Sequence, residues 1–372
     1  MKSVVYVFIV TFLCIIVTIS VLMIATSKTI TRRHNRLADT TMPPICRLWW
    51  NRNEGAMMIM LKVGLNLVSL VLDTGSSVLS VKSSDCNFIE CNGKTCDKSK
   101  KCPCGDVDGK TISDCGNHVY KPTKLGKKIK AGESGTSHNT HLQYGSQEDT
   151  IRHYMDTVSV PYIDVTCQDV IDPQYKKIAS SDKFIDIGDN IIIHSVYQIK
   201  GASSSNLFGL SRPAKKGENV LLDSLFGKKN MIFSLVIRSW GGFFSLGPLP
   251  CFSNLQYVRL LQPVLFKNFV TKFYIIQLSK MFIGPDINNL TQVINNVPKY
   301  CLIDTGTTLS YASSKLGLEL KKNGYNANTD YMQLHVGSSK NPVILTYSSN
   351  DLKDPDYPSL TVLNCLPDRK SE

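Results

Sequence analysis

Charge is scarce in this chain: only 19% of its 372 residues are Asp, Glu, Lys or Arg, and tryptophan occurs three times. There is no Gly-x-Ser-x-Gly elbow and no Gly-rich loop ending in Gly-Lys-Ser/Thr at P-loop spacing. Serine hydrolases built on that elbow and P-loop nucleotide hydrolases are therefore disfavoured. The seven histidines include no His-x-x-x-His pair and the 12 cysteines no Cys-x-x-Cys pair, so the common zinc signatures are missing. Gly (24) and Pro (16) form no repeat, and hydrophobic content is 42%. Those values exclude collagen, a coiled coil and a mostly disordered chain. The net charge of +12 permits an acidic partner without requiring one. Aromatic residues do not interleave with the lysines as base stacking needs, so no nucleic-acid partner is expected.

What is present begins with an uncharged apolar run over residues 3–26. At about 1.5 Å per residue a helix of this length crosses a bilayer core of roughly 30 Å. Residues 1–27 read as a signal anchor, with a cleaved signal peptide as the alternative, and residues 3–26 as the contact with a membrane. Lys28, Arg32, Arg33 and Arg36 follow the run, which by the positive-inside rule places the body in the cytosol. Six cysteines within residues 86–115 argue for an oxidising compartment instead. The cysteines carry more weight, giving a body in the secretory pathway, facing the endoplasmic reticulum lumen or the outside. Asn289-Leu290-Thr291 is a glycosylation sequon at Asn289.

Residues 28–50, polar and basic with Pro43-Pro44, read as a stalk or short pro-segment. From Met57 two strands flank Gly64–Asn66, and a third follows the turn at Gly75. Residues 86–130 form a Cys-rich insert with ten lysines. Further strands are predicted at 156–166, 184–199, 231–237, 243–246, 256–265, 273–283 and 300–311, with helices at 217–229 and 313–324. Many strands and few helices make the chain all-β.

Two segments resemble each other across the chain. Leu70-Val71-Leu72-Asp73-Thr74-Gly75-Ser76-Ser77 and Cys301-Leu302-Ile303-Asp304-Thr305-Gly306-Thr307-Thr308 both run from apolar residues through Asp-Thr-Gly to two hydroxyl residues. A lone Asp-x-Gly is usually a turn; the extended pattern repeated once per half suggests a duplication that mimics a two-fold dimer. The chemistry accounts for the residue types. An apolar strand delivers Asp into a dry centre, Gly lets the second copy approach closely, and Thr can tie the loops together. Ser76 or Thr307 can hold the outer carboxylate oxygen. Two facing carboxylates share a proton, so one can act as base on a water while the other donates. No metal and no cofactor is needed.

On these motifs the sequence resembles the pepsin-like aspartic proteases, over roughly residues 54–364. The resemblance implies a bilobal all-β fold with an N-terminal lobe over 51–250 and a C-terminal lobe over 251–372. It implies a catalytic pair in Asp73 and Asp304, supported by Thr74, Gly75, Ser76, Thr305, Gly306 and Thr307. Leu142-Gln143-Tyr144-Gly145-Ser146, with Asp156-Thr157-Val158 beyond it, resembles the flap hairpin, with Tyr144, Gly145 and Ser146 over the substrate. Asn206-Leu207-Phe208-Gly209-Leu210 is similar to the segment that threads behind the first Asp loop. Phe273 to Leu278 resembles the strand opening the second lobe. Ser80 stands where the family usually has tryptophan, and with the insert this resembles the nepenthesin-type, plasmepsin V-like branch.

After Asp304 the nearest match to a second apolar-apolar-Gly segment is His335-Val336-Gly337, so the C-terminal lobe reads as shortened. The expected function is an aspartic endopeptidase acting on a polypeptide substrate, as a monomer. The alternative is a catalytically inactive, membrane-tethered, disulfide-rich peptide-binding protein of the same fold. Cys86, Cys91, Cys96, Cys102, Cys104 and Cys115 read as three disulfides of open pairing, with a zinc site at Cys102, Cys104 and His118 as the rival. A bridge between Cys301 and Cys365 is a further candidate.

Overall fold

The computed structural model describes residues 43–51, 56–92, 95–96, 100–102, 106–107, 110–111, 118–133, 140–144, 147–172, 183–201, 206–212, 221–222, 232–238, 241–252, 255–260, 273–293, 300–306, 314–326, 330–347 and 363–365. All of them belong to one compact unit, Pro43–Glu372. Among the described residues no helix is long and apolar enough to cross a membrane, and residues 3–26 lie outside them.

Strands dominate, and the chain is all-β. The first half carries β1 Ile45–Asn51, β2 Ala56–Val63, β3 Asn66–Asp73 and β4 Leu79–Asn92. Four short strands follow: β5 Thr95–Cys96, β6 Lys100–Lys101, β7 Asp106–Val107 and β8 Lys110–Thr111. Then come β9 Lys127–Ile129, β10 His141–Tyr144, β11 Gln147–Pro161, β12 Phe184–Gly201, β13 Leu207–Gly209, β14 Ser234–Arg238 and β15 Gly241–Ser245. The second half has β16 Tyr274–Gly284, β17 Thr291–Gln292, β18 Tyr300–Ile303, β19 Tyr331–Gly337, β20 Pro342–Tyr347 and β21 Leu363–Cys365. The described helices are α1 Cys167–Ile171 and α2 Ser314–Lys322.

One large sheet runs β10-β11-β12-β4-β13-β3-β2-β1-β15-β14, with β5 and β6 on β4 and β9 on β11. A smaller sheet runs β20-β19-β16-β18-β21, with β17 on β16. Each has its own apolar cluster. Leu48, Ile59, Leu70, Leu72, Phe208 and Phe244 belong to the first, and Ile276, Leu278, Leu334 and Val336 to the second. Every residue of β3 from Val68 to Asp73 is buried, because β2 and β13 flank it and both faces are covered. β11 alternates instead over its first half, where Gln147, Asp149, Ile151 and His153 are buried; farther on Asp156 and Val158 to Val160 are buried, and the pairing with β12 is irregular on both sides of Val158.

The strands predicted around Gly64–Asn66 and after Gly75 are β2, β3 and β4. The helix predicted at 313–324 is α2, and Gly324, at φ +74°, stops it. Of the helix predicted at 217–229, Leu221 and Leu222 are described and helical. Two expectations need correction. The stalk over 28–50 reaches too far: residues 45–50 lie in β1, between β2 and β15. Arg47 and the prolines give that segment a polar cast, yet Ile45, Cys46, Leu48 and Trp49 are all buried, so the first sheet begins before residue 51. The strand predicted at 256–265 is not formed over its described residues, 256–260. Only Leu260 makes a single bridge, to Ile276, while Tyr257 is 84% exposed. His335-Val336-Gly337, the nearest match to a second apolar-apolar-Gly segment, lies in β19, paired with β16 and β20.

Candidate active site

Asp73 ends β3, and Asp304 directly follows β18. Their side chains lie within hydrogen-bonding reach of each other. The loops interlock by matching contacts. The Thr74 amide donates to Thr305 Oγ1 at 3.1 Å, and the Thr305 amide donates to Thr74 Oγ1 at 2.9 Å. Thr74 Oγ1 then donates to the Ile303 carbonyl at 3.0 Å, and Thr305 Oγ1 to the Leu72 carbonyl at 2.6 Å. Within each loop the glycine amide donates to its own aspartate: Gly75 N to Asp73 Oδ1 at 2.7 Å, and Gly306 N to Asp304 Oδ1 at 3.0 Å.

The glycines also leave room across the pair. A Cβ on Gly75 would lie 2.5 Å from Asp304 Oδ1, and one on Gly306 would lie 2.5 Å from Asp73 Cγ. Each carboxylate thus rests against the other loop's glycine, an approach that any side chain would block.

The environment is asymmetric. Asp73 is buried, whereas Asp304 is half-buried. Burial pushes the Asp73 carboxyl up to about 7, the facing Asp304 carboxylate adds to the rise, and the Ser76 hydroxyl and Gly75 amide temper it. The Ser76 hydroxyl is buried beside Asp73 but makes no hydrogen bond of good geometry. Thr307 lies outside the described residues.

Behind the first loop runs β13, parallel to β3 and antiparallel to β4. Leu210 N donates to the Asp73 carbonyl at 2.7 Å, Gly209 N to Val78 at 2.9 Å and Ser211 N to Ser76 at 2.7 Å. Asn206 fastens this segment: its Oδ1 accepts from Lys82 N at 2.8 Å and its Nδ2 donates to the Ser69 carbonyl at 2.9 Å. The first loop is therefore held from behind by backbone, as the quoted segment implies. Behind the second loop, β18 is flanked by β16 and β21, both antiparallel.

The segment read as a flap lies on two antiparallel strands. β10 pairs with β11, with Tyr144 opposite Gln147, and Gly145 and Ser146 lie outside the described residues. Farther along β11 the buried Asp156 accepts hydrogen bonds from Tyr120 Oη at 3.0 Å, Thr123 N at 2.9 Å and Thr123 Oγ1 at 2.5 Å. Ser80 is buried in β4 between β12 and β13.

Cys86 and Cys102 form a disulfide, so Cys102 cannot serve as a thiolate in the rival zinc site. Cys91 and Cys96 are register partners in β4 and β5, and Cys104 and Cys115 lie outside the described residues. Cys301 and Cys365 are register partners in β18 and β21. A second disulfide, Cys167–Cys251, joins residues 84 apart and has no signal in cysteine spacing. Asn289 is exposed at a turn, its side chain donating to Asp286. Sequence reasoning also missed Tyr274, whose hydroxyl donates to the Leu210 carbonyl, and Arg212, which donates to the Phe273 carbonyl at 2.8 Å.

A scan against protein-family models finds no match to the chain, and a search of curated proteins finds none either.

Proposed function

We propose that the chain is an aspartic endopeptidase with the two-lobed, pepsin-like arrangement, hydrolysing peptide bonds through a water held between Asp73 and Asp304. The observation that carries this reading is the reciprocal seating of the two aspartates. Each packs on the other loop's glycine, and the loops are crossed by threonine hydrogen bonds. Single turn-capping aspartates have no reason to be built as a matched pair.

Asp73, raised to about 7, retains the pair's shared proton below that pH while Asp304 accepts a proton from the water. The water oxygen bonds to the scissile carbonyl carbon, and the Asp73 proton passes to the carbonyl oxygen. The resulting gem-diol breaks its C–N bond as a proton reaches the leaving amine. The hydroxyl proton released with the acid product restores the pair, so no covalent enzyme intermediate forms. The β10–β11 hairpin, carrying Tyr144, is the lid in this reading. A polypeptide is the substrate, the monomer is sufficient because one chain supplies both carboxylates, and the body works in the secretory pathway beside a membrane.

The test is peptidase activity of the full chain on a peptide library, with and without a transition-state-analogue inhibitor. Activity blocked by the inhibitor and lost in Asp73→Asn and Asp304→Asn supports the reading. Activity that survives either substitution overturns it, and peptide binding without cleavage favours the inactive binding protein.

A further inference from the structure

Residues 121–130 read Lys-Pro-Thr-Lys-Leu-Gly-Lys-Lys-Ile-Lys: five lysines and no acid. Lysines 121, 124, 127, 128 and 130 are all exposed. At the tip of this loop Leu125 is 81% exposed.

The loop is fixed on both sides of that leucine. On one side Asp156, buried in β11, accepts from Tyr120 Oη, Thr123 N and Thr123 Oγ1. On the other, β9 joins the sheet, with Ile129 buried opposite His153. Between them Gly126 N donates to the Thr123 carbonyl at 3.1 Å, and Leu125 N donates to Thr123 Oγ1 at 3.1 Å. Single exposed leucines are ordinary on protein surfaces. This one is held out on a braced turn among cations, with the loop's other aliphatic residue, Ile129, turned inward.

Apolar exposure continues beside it. Leu65 N donates to the Lys121 carbonyl at 3.0 Å, and Leu65 is 52% exposed. Leu67 is exposed opposite Lys62, whose Nζ lies 5.6 Å from the centre of the exposed Phe184 ring. Leucines projecting from a rigid basic base match the two zones of a lipid surface: acyl chains for the leucines, headgroup phosphates and carboxylates for the lysines. A nucleic acid would need bases stacked on aromatics, and the loop has none.

We propose that the Lys121–Lys130 loop, with Leu125 at its tip and Leu65 beside it, is a docking surface for an anionic phospholipid bilayer. It holds the body against the membrane independently of residues 3–26 and of the Asp73–Asp304 chemistry.

The test uses the full chain reconstituted with vesicles of phosphatidylcholine and phosphatidylserine whose acyl chains are brominated, with Leu125→Trp as the reporter. A matching Leu318→Trp, at an exposed position of α2, is the control for proximity to any bilayer. Quenching of the added emission should be several-fold stronger at position 125 than at 318. It should fall toward the control when Lys121, Lys124, Lys127 and Lys128 are changed together to Gln, or when phosphatidylserine is omitted. Equal quenching at the two positions, indifference to the lysine changes, or shielding of the reporter by an oligonucleotide but not by vesicles would overturn the proposal.

Discussion

The Tyr274 hydroxyl donates to the Leu210 carbonyl at 2.6 Å, and each of these residues stands one step from an aspartate. Leu210 N bonds the Asp73 carbonyl. Tyr274 is the register partner of Ile303, which precedes Asp304. Arg212 seconds the join, its Nη2 donating to the Phe273 carbonyl and its guanidinium lying 5.5 Å from the Tyr274 ring centre. This clasp ties together the segments that carry the two loops, whose carboxylates the proposed reaction needs in close register.

Tyr274→Phe keeps the ring and deletes the donor. One lost hydrogen bond to a carbonyl costs about 1 kcal/mol of stability. Because small misplacements of reacting groups are amplified in rate, kcat should fall roughly 3- to 10-fold while KM changes little. Denaturant unfolding and steady-state kinetics of the variant check both figures, and a KM effect alone would move Tyr274 from positioning to substrate binding.

Two glycines offer a contrast. At Gly75 an added methyl would lie 2.5 Å from Asp304 Oδ1 and 2.6 Å from its Cγ, so Gly75→Ala must displace the carboxylate. The expected result is loss of activity by roughly 100-fold or more, with destabilisation of about 1–3 kcal/mol. Gly317 in α2 meets nothing within 4 Å, and Gly317→Ala should stabilise by about 0.5–1 kcal/mol with full activity. Thermal melts and activity of the pair separate a crowded site from generic glycine effects.

The same contrast shows what could be read from sequence. The site was legible because its demands are local and repeated: Asp, Thr and Gly in fixed order after an apolar strand, written twice. β2 and β3 were legible because they pair with each other across the turn at Gly64–Asn66, α2 because its pattern is local, and β4 from its apolar run after Gly75, although its main partners β12 and β13 come far later. β1 was not: β2 pairs with its second half, but its first half, from Ile45 to Arg47, finds its strand partner in β15, far along the chain, with Ile45 opposite Ser245. The partners of Tyr274 and Asp156 were equally hidden: a tyrosine or an aspartate in a strand carries no mark of the distant carbonyl or hydroxyl that it meets. The strand predicted at 256–265 misled: over its described residues, 256–260, only Leu260 bridges to a strand.

The two disulfides should differ in weight. Cys86–Cys102 closes a sequence separation of 16 and Cys167–Cys251 one of 84. By chain entropy the first contributes about 3 kcal/mol and the second about 4–5 kcal/mol, if strain is equal. Replacing Cys167 and Cys251 together by Ala should lower the unfolding free energy more than replacing Cys86 and Cys102. Equilibrium unfolding of both double variants under non-reducing conditions decides the order.

Acidity should govern stability and activity through one carboxyl. Asp73 is raised from its ordinary value near 3.8 to about 7, first by burial and then by the facing Asp304 charge. The folded chain therefore holds this proton more tightly than the unfolded chain. The stabilisation so gained is complete below about pH 4 and drains away as pH rises through about 7. Asp73→Asn, neutral at every pH and still able to accept from Gly75 N, should match the native chain at about pH 4. It should exceed it by on the order of 2–4 kcal/mol at about pH 8. Activity of the native chain should fall over the same upper range, by up to tenfold per pH unit above about 7, as the shared proton is lost. Urea titrations of both proteins across that window, beside a pH profile of kcat/KM, test the two expectations together. A stability difference between the two proteins that does not change from about pH 4 to about pH 8 would mean that the folded loop does not hold the Asp73 proton more tightly than the unfolded chain.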